Sequence, residues 1–308
     1  MSFIERISLI GAGAVGALYA RKFFDMDKNC ISLVAKGERY DRLKEGGFIV
    51  NNKRCKMPLV RVEDNTPPSD LIIVAVKYHR LPEAIQDLRN RVGENSLIVS
   101  LMNGIDSEEQ IGAVYGMEKM LYAIVAGIDA VRQGNRITYT KEGKIFFGEA
   151  KNPGLSERVE RVKSVFDRAG IASEIPDDMI RTLWWKFMIN TGMNQVSAAL
   201  RAPYAVFQTS QEARELMESA MMEVMSIAKA AKVHLSEQDI EEWYSFMSGL
   251  SPQGTTSMVQ DIEANRKTEV EMFGGKVMEL GKTYGIPTPV NQTLFRMIRV
   301  MEEMEERR

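Results

Sequence analysis

The stretch "ISLIGAGAVGALYA", residues 7–20, decides the fold of this chain. A short apolar run comes first, and Gly11, Gly13 and Gly16 follow it in the spacing G-x-G-x-x-G, before a stretch with helical spacing. In such a strand–loop–helix unit the first glycine permits a tight turn, the second lets the backbone approach a pyrophosphate, and the third lets the helix pack closely. The N–H groups at the helix N-terminus attract anionic oxygen atoms. The pattern predicts dinucleotide binding, with a purely structural turn as the alternative.

The remainder of the first half continues this alternation of strands and helices. Apolar strand-like runs occur at 30–37, 70–77, 96–104 and 121–130, and helical spacing is found in "VGALYARKFFDM" and "LPEAIQDLRNRV". Runs of this kind separated by helices indicate a parallel, doubly wound sheet of the Rossmann type. Residues 135–150 alternate and carry glycines, so they predict a pair of antiparallel strands that closes the domain. One more helix is predicted over 155–171.

From about Pro176 the residue pattern changes. Methionine and alanine become frequent, and apolar residues recur with the helical period in five segments: 178–200, 210–232, 236–249, 257–283 and 289–306. This half is predicted to be all-helical. The α/β chain is therefore expected to have two domains, a dinucleotide-binding domain at 1–176 and a helical substrate domain at 177–308, with the active site in the cleft between them. The methionine-rich helix around 216–225 fits either a homodimer interface or, more typically, a core.

Composition excludes several classes of function. The net charge is −2 and no basic block interrupts the chain, which argues against a nucleic acid or an anionic membrane as partner. No window approaches the roughly 18 apolar residues of a membrane span, and the N-terminus does not fit a signal peptide, so a cytoplasmic protein is expected. Cys30 and Cys55 form no metal-binding pattern, and His79 and His234 are the only histidines. We therefore expect no metal, and proton chemistry based on Lys, Glu, Asp or Tyr.

The end of the second strand suggests which cofactor is used. An enzyme specific for NAD usually places an acidic residue there, to bind the ribose hydroxyls. Here "LVAKGER" offers Lys36 and Arg39, with Glu38 between them. A cation suits the 2′-phosphate of NADP, although a lysine on a solvated loop is also common. The sequence favours NADP over NAD, with Lys36 as a binding residue.

Polar or small residues follow three further strands. Lys77 closes one run, Asn103 and Gly104 close the next, and Ala130 ends the last. Ligands of doubly wound sheets bind beyond the carboxyl ends of the strands. Each residue alone also fits an ordinary turn, and Asn-Gly is a common one. Their recurrence at one edge of the sheet indicates a binding site.

In the helical half, "LWWKFMINTGMNQ" (183–195) sets Lys186, Asn190 and Asn194 into an apolar helix. Neighbouring members of this set differ by about 40° around an α-helix, so they form one polar stripe. A lysine in a cleft can stabilise the alkoxide that forms when a hydride reaches a carbonyl carbon, and can supply its proton, while amides bind hydroxyl and carboxylate groups. The alternative is a lysine that reaches water and amides that line a helix seam. This segment alone favours neither.

The segment "GTTSMVQDIEANRKTEVEMFGG" also carries polar residues, including Ser257 and Glu269. A structural explanation is strong here. Ser257 with Gln260, and Thr268 with Glu271, both have the spacing of helix capping boxes.

Taken together, these motifs resemble the ketopantoate reductase (2-dehydropantoate 2-reductase) family. The resemblance rests on "GAGAVG", "VK" at 76–77, "NG" at 103–104, "WKFMINTGMN" and "SMVQD…TEVEMFGG", which follow in order over nearly the whole chain. It implies a Rossmann domain followed by a helical domain like the C-terminal domain of 6-phosphogluconate dehydrogenase. It also implies reduction of 2-dehydropantoate to pantoate with NADPH, on the route to pantothenate and coenzyme A.

The resemblance further implies roles for individual residues. Lys186 is the expected proton donor. The expected substrate-binding residues are Lys186, Asn103, Asn190, Asn194 and Ser257. The residues expected to bind NADP are Gly11, Ala12, Gly13, Ala14, Val15, Gly16, Lys77, Asn103, Ala130 and Glu269.

Four positions depart from the family's usual pattern. Met102 replaces a frequent glutamine, Lys36 a common arginine, Gln195 a frequent proline, and Tyr204 an asparagine that binds substrate in some members. These departures leave two alternatives beside a ketopantoate reductase. One is a related reductase acting on another 2-oxo or hydroxy acid, and the other is a sensor that binds NADP(H) without turnover.

Overall fold

A computed structural model describes residues 3–306, with side chains to Met304. The chain divides into two compact units between Ile180 and Arg181. Within the described residues no helix is both long enough and apolar enough to cross a membrane.

The first unit alternates strands and helices. Its strands are β1 (Ile7–Ile10), β2 (Ile31–Ala35), β3 (Phe48–Val50), β4 (Lys53–Cys55), β5 (Leu59–Arg61), β6 (Leu71–Val74), β7 (Leu97–Ser100), β8 (Met120–Ile128), β9 (Val131–Gln133), β10 (Arg136–Thr138), β11 (Glu142–Gly148) and β12 (Ser173–Glu174). Its α-helices are α1 (Ala14–Met26), α2 (Gly37–Gly46), α3 (Leu81–Asp87), α4 (Ser107–Tyr115) and α5 (Glu157–Arg168), and short 3-10 helices span Tyr78–Arg80 and Met117–Lys119.

The main sheet has eight strands in the order β12-β11-β8-β7-β6-β1-β2-β5. Six neighbouring strands, from β8 to β5, run parallel. The chain leaves β1 on one side towards β2 and returns on the other side as β6, so strand order reverses at β1, as in a Rossmann-type sheet. Residues of β1, β6 and β7 are fully buried because both faces of a parallel sheet are covered. The predicted doubly wound sheet is confirmed.

The antiparallel pair expected within 135–150 is wrong. Strand β10 belongs to a separate four-stranded sheet of order β4-β3-β10-β9, where it pairs with β3 and β9. Strand β11 instead pairs antiparallel with β8 of the main sheet. Asp129 joins the ends of β8 and β11, since its carboxylate accepts the backbone N–H groups of Thr140 and Lys141 at 2.8 and 2.7 Å. The alternation within 135–150 suggested a hairpin, but a local pattern carries no information about pairing with β3, which is far away along the chain.

The second unit is helical, as predicted. Its helices are α6 (Met179–Leu200), which begins just before the division, α7 (Tyr204–Thr209), α8 (Gln211–Ala230), α9 (Glu237–Ser248), α10 (Ser257–Glu263), a π-helix (Glu271–Gly275), α11 (Lys276–Tyr284) and α12 (Pro289–Glu306). On α8, Met217 and Met221 are fully buried, so they fill the core, while Leu216 and Met222 are exposed.

The continuous helix expected over 257–283 is wrong, because the chain leaves helical geometry between α10 and the π-helix. Asn265 adopts a left-handed φ of 48°, and Arg266 returns its guanidinium to the Asp261 carboxylate at 3.0 Å. Beyond this turn Thr268 donates its hydroxyl to Glu302 of α12 at 2.7 Å. Side-chain contacts made across the fold therefore outweigh the local helical period.

Candidate functional site

Two glycines, Gly11 and Gly16, determine the conformation of the loop after β1. Gly11 has φ +103°, and a Cβ there would lie 2.3 Å from the carbonyl oxygen of Ala75. A Cβ on Gly16 would lie 2.1 Å from the carbonyl oxygen of Gly11. Both distances are far below van der Waals contact, so only glycine fits, and α1 can begin directly against the ends of β1 and β6.

Gly13 is different, because nothing inside the protein requires a glycine there. The nearest atom to a Cβ on Gly13 is the Ala75 oxygen at 4.0 Å, and its φ of −74° suits any residue. Gly13 is the N-cap of α1; within residues 3–306 no side chain caps this helix, and its first turn holds no acidic residue. The loop therefore offers open space and helix N–H groups, which is the chemistry of an anion cradle.

The predicted strand-end residues lie around this loop. Ile10 is in register with Val74, and Val74 with Ser100, so the ends of β1, β6 and β7 align. Lys77 is half-buried directly before a 3-10 helix that follows β6, and Asn103 is half-buried in the turn after β7. The fold thus brings Lys77 and Asn103 to the sheet edge that carries the glycine loop.

Ala130 reaches the loop by a less direct route. It lies in the turn between β8 and β9, partly buried against the core that also includes Ala12. Two residues later, Arg132 donates from Nη1 to the carbonyl oxygen of Ala12. Sequence reasoning overlooked Arg132, since only the second sheet carries β9 to this position.

The cations after β2 have different surroundings. Lys36 forms ion pairs with Asp87 at 2.7 Å and Glu83 at 2.9 Å, and these hydrogen bonds raise its pKa. Its positive charge is thereby largely matched by two carboxylates from α3.

Arg39 instead lies among other arginines. The pKa of Arg39 is lowered, first by desolvation of its guanidinium and then by the positive charges of Arg132, Arg80 and Arg42, although the residue as a whole is exposed. A group of like charges is costly unless an anion neutralises it. Glu83, which pairs with Arg80 at 3.0 Å and with Lys36 at 2.9 Å, partly offsets these positive charges. Lys36 as a cofactor-binding residue stays a prediction, and Arg39 is a second candidate for binding the same anion.

The polar stripe of the second unit lies on the least buried face of α6. Lys186 and Asn190 are half-buried, whereas Phe187 and Met188, on the other faces, are 2% and 0% exposed. Asn194 is only 7% exposed. No hydrogen bond inside the described part of the chain, residues 3–306, uses the side-chain amide of Asn190 or Asn194. The Asn194 amide is not among the fully buried side-chain groups that lack a partner, so it keeps contact with solvent and can bind water or a ligand.

Ser257 lies close to this stripe in the same unit. It is the exposed first residue of α10, and the N-cap is Thr256, whose side chain accepts the N–H of Val259. The capping box predicted for Ser257 is therefore wrong by one residue. Thr256 also shares a hydrogen bond of 2.7 Å with Ser197, whose hydroxyl donates to the carbonyl oxygen of Asn194 at 3.2 Å. This chain joins the start of α10 to the stripe and leaves the Ser257 hydroxyl outside the cap.

Glu269 is 7% exposed and precedes the π-helix. The capping box expected at Thr268 and Glu271 is wrong, because Thr268 donates to Glu302 and Glu271 pairs with Lys267 at 3.2 Å. Phe273 of the π-helix stacks on Phe187 of α6 at 6.4 Å between centroids. Glu269 therefore belongs to the unit that carries the lysine stripe, and not to the unit with the other residues expected to bind NADP.

The cysteines do not form a metal centre. Cys30 and Cys55 are both buried, and burial raises the pKa of Cys30 to about 11, so its thiol stays protonated. Across residues 3–306, no three His, Cys, Asp or Glu side chains are grouped as a metal site would require.

Comparison with known proteins identifies a family that covers both units. The model of the family "Ketopantoate reductase PanE/ApbA" matches residues 7–152, and that of its C-terminal domain, "Ketopantoate reductase PanE/ApbA C terminal", matches residues 178–302. The chain is 25% identical to the 2-dehydropantoate 2-reductase of Aquifex aeolicus over 305 residues, which cover 97% of each chain.

Solved structures share the fold. A D-mandelate dehydrogenase bound to NADH and anilino(oxo)acetate aligns with a TM-score of 0.88 at 22% identity, covering 98% of this chain and 99% of the other. A dimeric ketopantoate reductase from Staphylococcus aureus aligns with a TM-score of 0.81 at 21% identity, covering 97% and 99%. Because the two family models together match most of the sequence, the chain belongs to the ketopantoate reductase family of oxidoreductases.

Proposed function

We propose that this protein is a 2-dehydropantoate 2-reductase, which reduces 2-dehydropantoate to pantoate with NADPH. The observation that carries the proposal is the side chain of Asn194, on the same stripe as Lys186: the residue is 7% exposed overall, and its amide makes no hydrogen bond within residues 3–306. The amide is not among the fully buried groups that lack a partner, so it is open to a ligand, and a hydroxyl or carboxylate of the substrate supplies a polar partner. The same assignment makes 1–176 the cofactor domain and 177–308 the substrate domain.

The glycine loop fits a dinucleotide. Space around Gly13, together with N–H groups at the start of α1, suits a pyrophosphate, and Ala12, Ala14 and Val15 present backbone atoms to it. Lys77 adds a positive charge at the same edge, while Asn103 and Ala130 border the space beyond the strands. NADPH, when bound, supplies a hydride to the carbonyl carbon of the substrate.

The arginines around Arg39 favour NADP over NAD. A 2′-phosphate carries about two negative charges and accepts several hydrogen bonds, so it would relieve the repulsion of Arg39 with Arg132 and Arg42, and with Arg80, which already pairs with Glu83 at 3.0 Å. Lys36 contributes less, since Glu83 and Asp87 already match its charge.

The stripe on α6 suits the chemistry at the carbonyl. The oxygen of a reduced carbonyl carries developing negative charge, which the Lys186 ammonium stabilises and then neutralises by donating a proton from Nζ. Asn190, Asn194 and Ser257 hold the hydroxyl and carboxylate groups of the substrate, and Asn103 is assigned to the substrate as well as to the cofactor. Glu269, in the same unit as Lys186, contributes an acceptor for a cofactor hydroxyl or amide.

A second candidate is reduction of a different 2-oxo acid. Tyr204, half-buried, stands where some family members use an asparagine, and a Cβ on Gly254 would lie 3.0 Å from its ring. No side chain within residues 3–306 hydrogen-bonds the Tyr204 hydroxyl. An aromatic ring favours a substrate with an apolar or aromatic branch, and D-mandelate dehydrogenase acts on such an acid on the same fold.

Substitution of Gly13 separates cofactor binding from folding. Gly13→Ala should weaken NADPH binding about tenfold or more, because a methyl group occupies the space left for the pyrophosphate, while it costs less than about 1 kcal/mol of folding free energy. Gly154→Ala is the matched control, since nothing lies within 4 Å of a Cβ there. Binding is measured by fluorescence titration and stability by thermal denaturation. Wild-type NADPH affinity in Gly13→Ala would mean that the loop is only a turn.

Arg39→Ala should lower the affinity for NADPH about 10- to 100-fold and leave that for NADH unchanged, because charged hydrogen bonds contribute about 1.5–3 kcal/mol. Lys36→Ala should have a smaller effect, and Arg54→Ala, an exposed arginine on β4, should have none. The measurement is the dissociation constant of each variant for each cofactor. Equal losses for NADPH and NADH, or a larger loss in Lys36→Ala, would contradict this assignment of the 2′-phosphate.

Lys186→Ala should lower kcat for 2-dehydropantoate about 10²- to 10⁴-fold, since the general acid is lost, with NADPH affinity retained. Lys229→Ala, an exposed lysine near the end of α8, is the control. Steady-state rates of NADPH oxidation provide the readout. Near-normal turnover by Lys186→Ala would show that another group donates the proton.

A further inference from the structure

A buried chain of hydrogen bonds closes the turn that carries Asn103. Ser100 is the last residue of β7 and Ser107 the first of α4, and their hydroxyl oxygens lie 2.8 Å apart. Ser107 donates to Oε2 of Glu108 at 2.8 Å. All three residues are buried, with exposures of 0%, 2% and 1%. The backbone N–H of Met102, directly before Asn103, donates to the Ser100 hydroxyl oxygen at 3.4 Å.

The direction of this chain follows from counting protons. Each serine hydroxyl has one proton to donate. Because Ser107 gives its proton to Glu108, the Ser100 hydroxyl must donate to Ser107, and it can then accept the N–H of Met102. Every donor therefore points towards the carboxylate. The other carboxylate oxygen, Oε1, faces the N–H of Ala123 on β8 at 3.4 Å, so it too is arranged as an acceptor.

Protonation of Glu108 disturbs this order. A neutral carboxyl that donates to Ser107 turns the Ser107 proton towards Ser100. The Ser100 proton then has no acceptor among the groups of this series of hydrogen bonds. Placing the proton on Oε1 instead opposes the Ala123 N–H. Both arrangements weaken the link that ends at Met102 and Asn103.

The groups around Glu108 set the pH at which its carboxyl is protonated. Asp106, in the same turn, accepts the Tyr78 hydroxyl at 3.1 Å, and Tyr122 of β8 has its pKa raised by desolvation and then by Glu108 and Glu109. Burial is the largest influence on Glu108 and raises its pKa to about 7, with Asp106 adding to the rise and the hydrogen bond from Ser107 opposing it. The side chain therefore changes charge near neutral pH.

We propose that Glu108 is a positioning residue for Asn103, and that its ionised form, acting through Ser107 and Ser100, holds the turn in the conformation that binds cofactor and 2-oxo acid. The inference rests on the proposed function in so far as Asn103 contacts these ligands. Glu108 itself touches neither ligand in this account and acts through the turn.

Stability and binding should then depend on pH in opposite directions. The ordinary glutamate pKa of 4.5 is raised to about 7 on folding, so the contribution of Glu108 to stability is complete below pH 4.5 and is lost as pH rises towards 7. Ligand binding, which needs the ionised form, should improve as pH rises through about 7. A residue with only a structural role would change both in the same direction.

Glu108→Gln tests this directly, because an amide keeps the shape of the carboxyl and cannot ionise. At pH 8 we expect Glu108→Gln to have a melting temperature equal to or above that of the wild type, together with an NADPH dissociation constant and a KM for the 2-oxo acid raised about tenfold. The wild type should bind NADPH more weakly as pH falls from 8 to 6, and Glu108→Gln should show no such trend. Glu109→Gln, an exposed neighbour on α4, is the matched control. Ser107→Ala, which cuts the chain but keeps Glu108, should reproduce the weaker binding.

Two results would overturn the inference. One is parallel loss of stability and binding in Glu108→Gln, which indicates packing alone, and the other is a pH profile of NADPH binding identical in Glu108→Gln and the wild type. Wild-type NADPH binding without turnover of 2-dehydropantoate would refute the proposed function, while the pH dependence of NADPH binding would still decide the role of Glu108.

Discussion

The close approach of the Gly11 backbone to Ala75 is the constraint on which the first unit depends. With a Cβ position only 2.3 Å from the Ala75 carbonyl oxygen, the chain after β1 has no room for a side chain. This contact, and that of Gly16 with Gly11, fix where α1 starts relative to β1 and β6. The N–H groups of its first turn therefore emerge at the edge where Lys77 and Asn103 lie. Of these three glycines, only Gly13 has open space where a Cβ would lie. The loop therefore has room for an anion in addition to forming a turn.

In the second unit, the polar groups of α6 differ in whether they have a partner inside the protein. The Gln195 amide nitrogen donates to the carbonyl oxygen of Thr191 and to Asn291 at 2.9 and 2.8 Å, and Ser197 bonds Thr256, whereas the Thr191 hydroxyl and Gln195 Oε1 are buried without a hydrogen-bond partner within residues 3–306. The Asn194 amide also makes no hydrogen bond within these residues, and it follows Lys186 and Asn190 along one face. Aromatic packing of Phe187 against Trp184 and Phe273 fixes the helix that carries them. The helix that carries the stripe is thus held by packing, and the amides of Asn190 and Asn194 make no hydrogen bond within residues 3–306.

The sequence predicted the features that are local. Apolar runs ending in glycine or polar residues located the parallel strands and the edge where ligands bind, and the period of 3.6 located most helices. Features that depend on distant partners escaped it. The pairing of β10 with β3, the contact of Thr268 with Glu302 beyond α10, and the neutralisation of Lys36 by α3 all involve residues far apart along the chain. The N-cap of α10 is Thr256 and not Ser257. Both residues carry a hydroxyl group and they are adjacent, so the sequence alone does not show which of them caps the helix. Nothing in the sequence singled out Glu108 as a positioning residue, because an acidic residue in the first turn of a helix is ordinary.

The most direct test of the central claim is the rate of NADPH oxidation by the purified protein with 2-dehydropantoate, compared with a panel of 2-oxo acids that includes phenylglyoxylate. The account predicts the highest kcat/KM for 2-dehydropantoate, with NADPH preferred to NADH. A higher value for phenylglyoxylate would assign the chain to another 2-oxo acid. Binding of NADPH with no turnover of any acid would contradict the claim that this protein is a reductase.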